Sequence, residues 1–121
     1  MTDHIVSNRD SILLSIKKLL NIAPEDKAFD TDIIMLINSA LSMACQMGIG
    51  PENGMSISGD NETWSSLIPN DKLNMVSEYV YLKTRMVFDP PNGSVLGSME
   101  KTISELEWRM TVASEEVKEN A

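Results

Sequence analysis

Tyr79-Val80-Tyr81-Leu82-Lys83-Thr84-Arg85-Met86-Val87-Phe88-Asp89-Pro90-Pro91 reads as the closing turns of an amphipathic helix stopped by two prolines. A proline lacks the donor the helical ladder needs, and its ring restricts the residue before it, so the helix ends at Phe88 or Asp89. The stretch carries no nucleophile beside a base and no metal-ligand spacing, which points to a packing element rather than a reaction centre. Upstream, Leu73, Val76, Tyr79 or Val80, the Lys83 stem and Val87 continue the apolar stripe, with Asn70 or Asp71 as N-cap.

Outward from this helix the same period recurs. Beyond the turn Asp89-Pro90-Pro91-Asn92-Gly93, Ser94 is placed to cap a last helix. Val95, Met99, Ile103, Leu106, Met110 and Ala113 give that helix a narrow seam for one neighbour. The acidic residues 115–121 are expected to fray. Toward the N-terminus, Ile33, Leu36, Ile37, Ala40, Leu41, Ala44 and Met47 predict a helix over Thr31–Met47, closed by a left-handed Gly48 before Gly50-Pro51. Ile12, Leu13, Ile16, Leu19 and Leu20 predict another from Asp10 to Asn21. Asn8 or Asp10 would cap it, Lys17 and Lys18 would face the negative end of its dipole, and Pro24 would stop it. Residues 1–7 read as a flexible arm.

Between the second and third helices, Ile49–Asn61 is a long loop with Gly50, Pro51, Gly54 and Gly59 around Met55-Ser56-Ile57, a candidate short strand or hairpin arm. Loops of this length usually have a role, which makes Met55 and Ile57 candidate contacts to a neighbour. Thr63–Ile68 predicts one helical turn that anchors the loop, with Trp64 as the plug and Pro69 as the terminator. The expected fold is all-α: one domain over residues 1–121, a small bundle of four main helices with a long loop between helices 2 and 3.

With 121 residues and 42% hydrophobic content, the chain is long enough for a core. Its net charge of −8 argues against wrapping nucleic acid, whose affinity comes from clustered Lys and Arg. The single Cys45 forbids an intramolecular disulfide, and the sequence shows neither a signal-peptide pattern nor an apolar run of membrane-spanning length. Synthesis in the cytoplasm and no membrane association are the expectations. Nine methionines against 5% aromatics suggest adaptable contact surfaces.

Candidate chemistry is sparse. His4 lies in the predicted arm, with nothing to position it as a base. Cys45 falls near the apolar side of its helix and reads as a small hydrophobe. Asp60-Asn61-Glu62 lacks the spacing of a calcium loop, and Gly48-Ile49-Gly50 follows a helix and has no Lys-Ser/Thr. Glu105 is placed to pair with Arg109 rather than with Glu107. No enzyme activity, no cofactor and no metal site are therefore expected. Trp64, Tyr79, Tyr81, Arg85 and Trp108 are candidate subunit contacts, because Trp, Tyr and Arg dominate interface hot spots. Packing within the chain would use the same residues, and both uses stay open for each.

Taken in order, Phe29-Asp30-Thr31-Asp32-Ile33-Ile34, Ile37-Asn38-Ser39-Ala40, Gln46-Met47-Gly48-Ile49-Gly50-Pro51, Thr63-Trp64, Tyr79 to Pro91 and Glu105-Leu106-Glu107-Trp108-Arg109 give the chain a likeness to a known family. It resembles the small head-tail connector proteins of long-tailed double-stranded DNA bacteriophages or prophages. The resemblance implies an all-helical structural virion protein, made in the bacterial host cytoplasm and placed at the head-tail junction. It implies self-assembly into a dodecameric ring between the portal protein and a tail or stopper protein, extending the channel through which DNA only passes. The alternative from another class is a small acidic adaptor or inhibitor that binds one partner protein.

Overall fold

The structure is a computed structural model that describes residues 6–120, with side chains described through residue 116. His4 and most of the predicted arm lie outside the described residues. Five helices follow in order: α1 (Ile12–Leu19), α2 (Asp30–Gln46), α3 (Trp64–Leu67), α4 (Leu73–Phe88) and α5 (Gly93–Asn120). The fold is all-α as expected. Among the described residues there is no strand, and one isolated antiparallel bridge pairs Ser11 with Thr63.

Local chemistry explains each boundary. Ser11 caps α1, its Oγ accepting from the Leu14 N–H at 3.2 Å. Asn8 and Asp10, the expected caps, instead lend their carbonyls to Ser65 and Trp64. α1 ends at Leu19, and Asn21 rather than Pro24 turns the chain away. Asn21 is left-handed (φ 63), and the N–H groups of Asn21 and Ile22 donate to the carbonyls of Lys18 and Lys17. The predicted Gly48 stop closes α2 in the same way: φ is 94, and Gly48 and Ile49 donate to Cys45 and Ala44. Ile49 then turns into the core. Asn70 and Asp71 do not cap α4. With Lys72 they form a 3-10 turn that feeds it. α5 begins at Gly93, so Ser94 is inside the helix, and its backbone stays helical through Asn120 despite the acidic composition. Val6 is buried and the Ser7 N–H donates to Asp10 Oδ2, so the last two arm residues are held in place.

α2 packs chiefly on α4, α5 folds back along α4, and α1 lies on α2. Ile33, Ile37 and Leu41 of α2 meet Val76 and Val80 of α4 and Leu106 and Met110 of α5 in one core. Burying each such side chain contributes about 1.5–3 kcal/mol. The stripe of α4 runs through Leu73, Val76, Val80 and Thr84; Val87, predicted on it, is 67% exposed. That end is closed by Phe88, whose ring meets Phe29 edge-on at 5.5 Å. The seam predicted for α5 holds from Met99 to Met110, while Val95 is exposed.

The 49–61 loop is stitched down rather than raised as an arm. The Asn38 side-chain amide takes both backbone groups of Ile57, accepting from its N–H at 2.7 Å and donating to its carbonyl at 3.0 Å. With both groups satisfied, Ile57 has no call for a strand partner, and Met55 and Ile57 are buried.

Lys17 is 1% exposed. Its ammonium donates to the carbonyls of Asp26 at 2.7 Å and Pro24 at 3.1 Å, and lies 2.7 Å from Asp30 Oδ1. The last contact is charge on charge, since no donor reaches Oδ1 at a hydrogen-bonding angle. Two carbonyl acceptors and an opposite charge at 2.7 Å make its burial tolerable. Lys17→Met keeps the stem but leaves Asp30 and two carbonyls unpaired; it should lower the urea-unfolding free energy by about 3 kcal/mol, with the helical signal of the native state kept.

Candidate interaction surface

The structure sorts the seven contact candidates into interior and surface. Trp64 is fully buried, its indole N–H donating to Ser15 Oγ at 2.9 Å, so α3 plugs into α1. Tyr79 is equally buried, and its hydroxyl donates to Glu107 Oε2 at 2.8 Å, tying α4 to α5. Met55 and Ile57 lie under the loop. These four are spent within the chain, because each has its apolar body in the core and, where it has a polar tip, an internal partner. Tyr81 and Arg85 are half-buried on α4, Arg85 Nη1 donating to the Tyr81 hydroxyl at 3.1 Å. Trp108 alone stands out, at 66% exposed.

Among the depressions of the described surface, three lie along α1, α4 and α5. A groove of about 390 Å³ has α4 as floor and α2 and α5 as walls, with Leu36, Met86, Val87 and Ile103 among its apolar lining and Lys83, Glu100 and Glu107 at its rim. A cleft of about 430 Å³ opens between α1 and α4, bounded by Leu19, Tyr81 and Leu82. A trough of about 640 Å³ runs along α1 from Val6 to Pro24 over Leu14, Leu19 and Ile22, with Asp10 and Lys18 beside it. At about 100° per residue, Lys83, Met86 and Val87 project from the side of α4 opposite to Asn74, Ser77 and Tyr81, so the groove and the α1–α4 cleft lie on opposite faces of α4.

The remaining polar groups are structural. Cys45 is half-buried against the core, and burial pushes its thiol above the ordinary value, which disfavours the reactive thiolate. Glu62 accepts from the Ser58 N–H and hydroxyl, a turn closure that holds its carboxyl below the usual range. Glu105 and Arg109 form no ion pair with each other; the ion pairs among the described residues are Lys17–Asp30 and Lys72–Asp71. Among the described residues no three His, Cys, Asp or Glu side chains group as a metal site, and no helix is long and apolar enough to cross a membrane.

Sequence reasoning missed Glu107, Asn38 and Lys17. Lys17 had a signal: with Leu13, Ile16 and Leu20 it falls on the apolar stripe of α1, a place where a lysine must find internal acceptors. Asn38 and Glu107 had none, since their partners come from distant segments.

The sequence model of a family described as "Phage connector protein" matches residues 12–117, from the start of α1 to near the end of α5. No curated protein and no solved structure matches the chain.

Two tests separate interior from surface. Trp64→Ala should cost about 3–5 kcal/mol in urea unfolding, while Trp108→Ser should change stability by less than about 0.5 kcal/mol. Burial foremost, and then the Glu107 hydroxyl contact and charge, raise the Tyr79 ionisation above the ordinary value of about 10. The folded chain therefore holds that proton where the unfolded chain releases it. This stabilisation is complete below pH about 10 and is lost as pH rises toward the folded value. Between pH 9 and 11, wild type should lose more stability than Tyr79→Phe.

Proposed function

The chain belongs to the phage connector protein family, and on that premise we propose that it is a structural virion protein whose copies close into a ring between portal and tail. The ring would be dodecameric, extend the DNA channel and complete the head, with the portal protein on one side and a tail or stopper protein on the other. The family match over residues 12–117 carries this reading, because it takes in all of α1 to α4 and most of α5.

The physical features fit a scaffold of this kind. A ring built from identical subunits needs two different complementary surfaces on each copy, and closes when the rotation between them divides the circle. This chain has apolar depressions on opposite faces of α4 and an exposed tryptophan on α5. A net charge of −8 suits a channel that DNA crosses, since carboxylates repel phosphates instead of holding them.

Size-exclusion chromatography with light scattering over a concentration series, with electron micrographs of the large species, tests the proposal. A closed ring is expected, formed by the protein alone or on added portal. A protein that stays monomeric or dimeric at every concentration and associates with neither portal nor tail protein would overturn it.

A further inference from the structure

We infer that the neighbouring copies in this ring meet through Trp108 of one copy seated in the α1 trough of the next, an inference that rests on the ring reading above. Trp108 is 66% exposed on a helix whose seam is otherwise buried from Met99 to Met110, so its indole is left without cover inside its own chain. Tryptophan is enriched among the residues that anchor interfaces by filling a partner's pocket. The trough offers such a pocket. Its volume of about 640 Å³ exceeds what one indole occupies, and Val6, Leu14, Leu19 and Ile22 give it an apolar floor.

Position and charge point the same way. α1 lies on α2 and α5 on α4, which sets the two helices at the outer edges of the bundle. On the helical wheel of α5, Trp108 leans to the side that carries Glu100, Ser104 and Glu107, the wall of the α2/α4/α5 groove. The trough adjoins the α1–α4 cleft, with Val6 and Leu19 in both, and that cleft opens on the face of α4 opposite to the groove, so knob and pocket stand on different sides of the bundle, as a head-to-tail contact requires. Glu105 and Arg109 flank Trp108, and Asp10 and Lys18 flank the trough. With α5 of one copy antiparallel to α1 of the next, Glu105 faces Lys18 and Arg109 faces Asp10. Both like-charge pairings are avoided, and the ends of the contact are fixed.

Two single-face variants test this by sedimentation velocity. Trp108→Ala removes the knob but keeps the trough; Leu14→Arg blocks the trough but keeps the knob. Each alone should associate more than tenfold more weakly than wild type. An equimolar mixture should form one-to-one heterodimers and nothing larger, because one live knob meets one live trough. Circular dichroism melting checks that both variants are folded. Lys18→Glu combined with Glu105→Lys should recover association that either charge reversal alone weakens. Rings that survive in both single-face variants would overturn the contact while leaving the ring reading standing. A mixture with no heterodimer would overturn the contact whether or not wild type closes into rings. Failure of the ring reading shows separately, as wild type that assembles neither alone nor on the portal.

Discussion

A single buried ammonium sets the geometry on which the surfaces depend. Lys17 gathers the carbonyls of Pro24 and Asp26 and the carboxylate of Asp30, and so fixes the connection between α1 and the first turn of α2. Charge in the interior is costly unless it is paired and hydrogen-bonded, so the connection has little freedom to adopt another path. Ile22, Ala23 and Pro24, held by this arrangement, form the end of the trough along α1. The same contact that orients α1 on the bundle thus shapes the surface it presents.

Three further ties work across long stretches of sequence. Trp64 pins α3 to Ser15 of α1, Asn38 pins the 49–61 loop to α2, and Tyr79 pins α5 to α4 through Glu107. Each joins a side chain to a group that is distant in sequence, and each leaves its helix's outer surface free. Gly48 shows how closely the parts fit. A Cβ built there would come within 2.6 Å of Ser114 Cβ, so the end of α2 approaches α5 as near as a bare backbone allows.

Much of this fold is legible in the sequence because periodicity and punctuation are local. The spacing of Ile33, Ile37 and Leu41, or of Met99, Ile103 and Leu106, marks helices whatever they pack against. Gly48 announces its own left-handed turn. The capping residues are less legible: Asn8, Asp10 and Ser11 are all competent to cap α1, and the contacts of Asn8 and Asp10 with Ser65 and Trp64 leave Ser11 as the cap. The surface is the least legible. Trp64 and Tyr79 turn inward only through the packing of α3 on α1 and α5 on α4, whereas Trp108 lies across α5 from the Met99–Met110 seam, where the helical period alone puts it outside. Val87 falls on the α4 stripe by spacing yet is exposed, while the next residue, Phe88, makes the contact with Phe29.

The family match and the outward-facing features join into one account of a structural subunit: helices tied internally by buried polar contacts, with complementary apolar surfaces left on opposite edges. An electron cryomicroscopy reconstruction of the virion head-tail junction tests that account most directly. Density for a closed ring of this chain between portal and tail, with α5 of each copy against α1 of the next, is the predicted result. A junction from which the chain is absent would contradict it.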